Sequence, residues 1–183
     1  MFSRKRFIIF LSKRFVDSGW VTLGKEISFV GGDAFQYTDE TLKDVLEKIS
    51  RTSGKNVRIV LSEELVFVTV LTFPSGTILT REQVRMKAEE SIPEDLQKTD
   101  WDFQAMHYIS KKNDAKEISV QVAVVEKAFA DILRRALDTR PFSIESVLPE
   151  SYLLASLEGA AEGVTVIVAQ DRESAVLCAI ENG

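Results

Sequence analysis

Asp100 and Asp102 stand two residues apart around Trp101, a spacing that on a β-strand sets both carboxylates on one face, as a paired general acid and base would need. No second acidic pair at a workable spacing accompanies them, and the two read as the solvated start of a strand. His107 is the only histidine and falls on the apolar-leaning face of the same segment, so a structural or partly exposed ring is expected in preference to a base or a metal ligand. Cys178, the only cysteine, lies in an apolar run; it reads as a buried, inert thiol and cannot form an internal disulfide. Glu63-Glu64 reads as a hairpin tip. Gly31-Gly32-Asp33 reads as a turn and not as a phosphate cradle, because no helix starts directly after it. Trp20, Trp101 and Phe129 read as core aromatics and not as a stacking platform. The residues by themselves therefore point to no catalytic, metal-binding or cofactor-binding group.

The elements that would position any site come next. With 183 residues the chain can form one compact domain or two small subdomains sharing an interface. An apolar fraction of 45% and a charged fraction of 28% are those of a soluble globular protein, and a net charge of -5 argues against a general nucleic-acid binder. The lone cysteine fits a reducing, cytoplasmic compartment. Arg4, Lys5 and Arg6 precede the apolar run from Phe7 to Leu11, which is too short for a signal-peptide core and is followed at once by Lys13 and Arg14. That run reads as a first strand with a solvated start, and no stretch approaches the roughly 20 apolar residues that span a bilayer.

Strands are expected over Phe7 to Leu11, Gly19 to Leu23 and Glu26 to Val30, with turns at Asp17-Ser18-Gly19, Gly24-Lys25 and Gly31-Gly32-Asp33. A helix is expected from Thr38 as N-cap, with Asp39 and Glu40 in its first turn, Leu42, Val45, Leu46 and Ile49 as its apolar stripe, and Gly54 as its stop. Two strands follow, from Val57 and from Leu65; the near-continuous apolar character of the second suggests burial on both faces until Pro74 ends it. Thr80 and Gln83 predict a capping box, Leu79 and Val84 a hydrophobic staple, and Pro93 the end of that helix. The segments from Trp101 and from Ile118 predict a hairpin with a polar tip. An amphipathic helix is expected over Ala128 to Leu137, a short strand near Ile144 to Leu148, a helix from about Pro149, and a closing hairpin joined by "AQDRES".

Three stretches together resemble the N-terminal part of the actin-like platform proteins of type IV pilus assembly and type II secretion, the PilM and GspL type. They are "VRIVLSEELVFVTVLTFPSG", similar to the family's paired strands ending at a Phe-Pro (Phe73, Pro74); "REQVRMKAEESIPEDLQKTDWDFQAM", similar to its E-x-x-I-P turn and aspartate-bearing strand (Glu89, Ile92, Pro93, Asp102); and "VQVAVVEKAFADILRRALDTRPFSIESVLPESYLLASL", similar to its strand, helix, strand and helix. The aspartate the family carries near Pro149 is lacking. The resemblance covers most of the chain from Val57 onward. It implies an α/β, actin-like (ribonuclease H-like) fold with an inserted β-α-β-β-α subdomain, in an incomplete or truncated form. On that reading residues 1–64 begin an actin-like subdomain, 65–140 are the insertion, and 141–183 return to the core and start a second actin-like subdomain.

ATP-binding members of the family grip phosphate with two hairpins of the form D-x-G. The resemblance sets Phe10 and Ser12 at the first Asp and Gly positions, and Ala169, Asp171 and Ala175 at the second Asp, Gly and Thr positions. An aspartate in place of the glycine would repel phosphate and block the backbone's approach. Asp17-Ser18-Gly19 has the D-x-G form but reads as an ordinary turn. No cofactor is therefore expected. The resemblance implies a non-catalytic, cytoplasmic scaffold at the inner-membrane platform. It would dock a membrane-protein tail, the assembly ATPase or another copy of itself through the sheet edge and helix faces of the insertion, including Pro74 to Pro93. Two other readings stay open: the N-terminal half of an actin-like ATPase or sugar-kinase-like enzyme, and an unrelated α/β domain. A mixed sheet whose first three strands form an antiparallel meander, with Leu65 to Leu137 inserted, would exclude the last.

Overall fold

The computed structural model describes residues 4–23, 27–53, 56–93, 95–106, 117–138, 143–152, 163–170 and 175–182. In chain order the elements are β1 (Arg4–Leu11), β2 (Phe15–Leu23), β3 (Ile27–Gln36), α1 (Leu42–Ser50), β4 (Asn56–Leu61), β5 (Val66–Pro74), α2 (Arg81–Ser91), β6 (Thr99–Met106), β7 (Glu117–Glu126), α3 (Lys127–Leu137), β8 (Ser143–Pro149), β9 (Gly163–Gln170) and β10 (Ala175–Asn182). They fall into two units: residues 1–65 with 127–150, and residues 66–126 with 151–183.

The first unit is a mixed five-stranded sheet in the order β3-β2-β1-β4-β8. β1, β2 and β3 form an antiparallel meander, while β4 runs parallel to both β1 and β8. Phe7, Ile9 and Leu11 of β1 lie beside Val57, Ile59 and Leu61 of β4, and all six are buried. Leu42, Val45, Leu46 and Ile49, the expected stripe of α1, are buried as well. Each such side chain contributes about 1.5–3 kcal/mol on leaving water. Trp20 packs edge-on against Phe7, with ring centroids 5.2 Å apart. α3 packs on α1 and buries Leu133 and Ala136. Sequence order grouped α3 with the insertion; its apolar stripe instead finds its partner in the first unit.

Helix α1 starts at Leu42 with Thr41 as its N-cap, one turn later than expected. The Thr38 carbonyl accepts from the N–H groups of both Thr41 and Leu42 (3.0 and 2.9 Å), which closes a turn ahead of the regular helix. Asp39 and Glu40 lie in that turn, and Asp44 is the acid of the first helical turn. The gap between β4 and β5 is not a hairpin tip either. β4 pairs with β1 and β8, whereas β5 pairs with β7, so Glu63-Glu64 lies in a turn that carries the chain from one sheet to the other.

In the second unit β5-β7-β6 form an antiparallel sheet with β7 in the middle. Leu71, Phe73, Val120, Val122 and Val124 face Val84, Ala88 and Ile92 of α2 and its C-cap, with Leu79, Trp101, Phe103 and Ile118 at the margin. Thr80 and Gln83 form the expected capping box, and Ile92 turns extended just before Pro93. β5 departs from expectation: it is an edge strand, with Val70 52% and Phe67 38% exposed, so its apolar run does not mean burial on both faces. β9 and β10 pair antiparallel as the expected closing hairpin. The turns at Gly24-Lys25 and Gly54, the polar tip after β6 and His107 lie outside the described residues.

Candidate functional site

The turn after β1 is where the resemblance set the family's first phosphate hairpin, with Phe10 and Ser12 in place of its Asp and Gly, and its geometry follows from the parallel pairing of β1 with β4. Because Leu11 and Leu61 are register partners, the chain leaving β1 and the chain leaving β4 emerge side by side. The Ser62 N–H donates to the Leu11 carbonyl at 2.8 Å, and the Lys13 N–H donates to the Glu64 carboxylate at 3.3 Å. Within the turn, the Ser12 N–H donates to the Phe15 carbonyl (2.9 Å), and the Phe15 N–H donates to Ser12 Oγ (3.2 Å). The buried Tyr37 hydroxyl donates to the Ser12 carbonyl at 2.7 Å, and the Tyr37 N–H donates to the Arg14 carbonyl at 2.9 Å.

A phosphate hairpin works by aiming backbone N–H groups at an anion. Here Ser12 and Phe15 close on each other, and Lys13 already bonds a carboxylate. An arriving phosphate would have to displace Glu64 while meeting its negative charge. Burial first, then the carboxylates of Asp39 and Glu64, push the Tyr37 phenol up to about 12, so it remains a donor across the physiological range. Glu64 was invisible as a member of this group from sequence, because only the β1–β4 pairing brings it to the turn.

Asp17-Ser18-Gly19 and Gly31-Gly32-Asp33 are not turns. They face each other inside the β2–β3 ladder, where the register slips between Asp17 and Gly19. Ser18 Oγ donates to the Asp33 carbonyl at 3.2 Å. A Cβ built at Gly32 would stand 2.4 Å from the Ser18 carbonyl oxygen, so the glycine is there for close backbone approach in a β-bulge. The D-x-G spelling thus serves sheet geometry.

Asp100 and Asp102 do share one face of β6, as their spacing predicted. Asp102 is 85% exposed and paired with Arg81 at 3.2 Å, whose guanidinium lies over the Trp101 ring, 4.2 Å from its centroid. This is a surface ion pair seated on an aromatic, not an enclosed acid–base pair. Trp101 and Phe103 stack at the edge of the α2 core. Phe129 is half-buried on α3.

A charged cluster that sequence reasoning missed sits on the first sheet. The β4–β8 register takes up one extra residue, so that Ile144 opposes Val57 and Ser146 opposes Arg58, with Glu145 between them. Glu145 accepts from Arg58 Nε at 2.9 Å and from Arg6, tying β8 to β4 and β1. The Arg58 hydrogen bond, aided by the Arg58 charge and by Arg6, holds the Glu145 carboxyl below its usual range against a smaller desolvation penalty. No sequence pattern announces a bulge, and residues 139 apart met only through the fold.

At the second expected phosphate position, Ala169 lies in β9 opposite Val176, and Ala175 opens β10 opposite Gln170. Asp171 and the tip itself lie outside the described residues, as does the side chain of Cys178. Among the described residues no group of three or more His, Cys, Asp or Glu side chains could hold a metal ion. No described helix is long and apolar enough to cross a membrane.

No protein-family model and no curated protein matches the chain. Solved structures do. A chain of a PilM–PilN type IV pilus biogenesis complex superposes with a TM-score of 0.71 at 17% identity, covering 97% of this chain and 58% of that one. The cytoplasmic domain of EpsL, an inner-membrane component of the Vibrio cholerae type II secretion system, gives 0.56 at 15% identity, covering 97% and 71%. A Bacteroides thetaiotaomicron protein of actin-like ATPase fold and unknown function gives 0.52 at 12% identity, covering 97% and 66%. The chain spans just over half the length of the PilM–PilN structure it matches. With its opening meander, its parallel β4 and β8 and this superposition over nearly its whole length, the chain has an actin-like fold, over part of the length of those structures.

Proposed function

We propose that this chain is a non-catalytic, cytoplasmic scaffold or docking component of a type IV pilus or type II secretion platform, held at the inner membrane through protein partners. On this reading residues 1–64 belong to the first actin-like subdomain, the stretch 65–140 carries an insertion that ends before α3, and 141–183 make the return and the start of a second subdomain. One observation carries the non-catalytic part. The turn at Ser12–Phe15 engages the backbone N–H groups of Ser12, Lys13 and Phe15 within the protein, one of them on the Glu64 carboxylate. The fold shared with a PilM–PilN complex and with an EpsL cytoplasmic domain supports the docking part. A platform-protein tail or an assembly ATPase is the partner this reading favours.

Calorimetric titration of the whole protein with Mg-ATP tests the first part. No saturable heat is expected, and micromolar binding would overturn it in favour of the other reading, the N-terminal half of an actin-like ATPase or sugar-kinase-like enzyme. Affinity purification from the native cell tests the second part, through recovery of pilus or secretion components.

A further inference from the structure

The two edges of the β5-β7-β6 sheet are protected in different ways. An edge strand offers unpaired N–H and C=O groups to any strand that arrives, and charge along it is a common deterrent. β6 carries its own charge, at Asp100 and Asp102. β5 does not: from Val66 to Phe73 it reads VFVTVLTF, mostly β-branched or aromatic, with no charge, glycine or proline. An uncharged run of that composition on a sheet edge is the kind of segment that stacks into intermolecular β-structure.

Pro74 fixes which groups of β5 face outward. It lies opposite Glu117 and has no N–H to give β7, so it occupies a non-hydrogen-bonded position of the ladder. The register runs unbroken from Val66 to Pro74, so Val66, Val68, Val70 and Thr72 share its parity and turn their N–H and C=O groups away from β7. Both ends of this row are closed. Val66 is 4% exposed. At the other end the Pro74 carbonyl accepts from Thr77 N–H and Oγ1, at 3.2 and 2.7 Å, and the Thr72 carbonyl accepts from the Lys87 ammonium. That leaves Val68 and the exposed Val70 between them.

Lys87 comes from α2, and its ammonium also lies over the Phe73 ring, 4.7 Å from the centroid. The ring holds the cation at the strand by its π face, and the lysine brings to β5 the charge that the strand itself lacks. We infer that Lys87 is a guard of this edge: a cation delivered by the neighbouring helix that occupies an outward carbonyl of β5 and keeps the strand from pairing with a strand of another molecule. Val68 and Val70 alone are too short a stretch to hold an incoming strand. To extend the pairing the newcomer would need Thr72, and there it would have to displace Lys87 and strip water from the ammonium. The inference stands apart from the docking reading above; it closes this one edge to strand addition and leaves other surfaces free.

Light scattering of the whole protein over a concentration series tests it. Lys87→Met keeps the aliphatic stem, removes the charge and the donor, and suits a helix, so the fold is kept; a cooperative urea transition at the parent's midpoint checks this. Association is expected to begin at a concentration at least about 10-fold lower than in the parent. Lys87→Arg, which keeps both charge and donor, should behave as the parent does. Adding Val70→Lys to Lys87→Met returns a charge to the open stretch and should restore the parent's behaviour. Lys87→Gln, also uncharged, takes the place of the Met variant if that one folds poorly. Association that appears on loss of the charge, is absent in the Arg variant and is reversed by Val70→Lys supports the inference. An uncharged variant that associates no more readily than the parent overturns it. So does association that Val70→Lys leaves in place, which would trace it to loosened folding and not to the edge.

Discussion

In the first unit the central strands are enclosed: β1 and β4 bury Phe7, Ile9, Leu11, Val57, Ile59, Val60 and Leu61, with α1 and α3 supplying further buried residues. In the second unit the three-stranded sheet is served by a single described helix, and its edge strand leaves Phe67 and Val70 open. Both stretches look alike as strings of Val, Ile, Leu and Phe. The difference teaches that apolar content reports the capacity to bury, whereas position in the sheet decides whether burial happens. A parallel strand with neighbours on both sides is enclosed; an antiparallel edge strand of equal apolarity becomes a surface.

Substitutions can break or sharpen this contrast. Ile59→Ala, at a fully buried position of β4, is expected to cost about 2–5 kcal/mol in urea unfolding. Val122→Ala, in the fully buried middle of β7, removes less hydrocarbon and is expected to cost about 2 kcal/mol. Tyr37→Phe leaves the Ser12 carbonyl without its buried donor and is expected to cost about 1–3 kcal/mol.

The same tyrosine gives a pH test. Its folded value, near 12, lies above the ordinary 10.0, so its stabilising contribution is complete below 10 and is lost as pH rises from there toward 12. Absorbance titration should show one phenol ionising late, and Tyr37→Phe should remove that phase. Thr80→Ala deletes one half of the capping box on α2 and is expected to cost about 1 kcal/mol; hydrogen exchange should show the loss confined to the second unit.

The smallest effect belongs to Glu145. Its folded carboxyl titrates below the ordinary value, so its contribution is present at neutral pH and fades as pH falls through that lowered value. Glu145→Gln should lower neutral stability slightly, and the difference from the parent should vanish as pH falls through that value.

Much of the fold was legible because it is local. The stripe on α1, the capping box at Thr80 and the stop at Pro93 each depend on residues a few positions apart. The shared face of Asp100 and Asp102 follows from strand alternation in the same way. Clusters of glycine and aspartate misled, because the residues that make a tight turn also permit close backbone approach. Gly32 does the second against Ser18, where a turn was expected. The Glu63-Glu64 turn and the membership of α3 misled for a different reason: each depends on which sheet or helix a segment meets, and neighbouring sequence carries no record of that.

The sequence by itself therefore determined the elements, most of their ends and the absence of a D-x-G spelling at Phe10 and Ser12. Those are consequences of hydrophobic period, cap chemistry and residue identity. Tertiary structure alone decided which groups meet at the Ser12–Phe15 turn. Parallel pairing of β1 with β4 carries Glu64 to the Lys13 N–H, and the returning chain after β3 lays the Tyr37 hydroxyl on the Ser12 carbonyl. Residues separated by 51 and 25 positions became one hydrogen-bonded group because sheet order, which no local pattern encodes, brought them there.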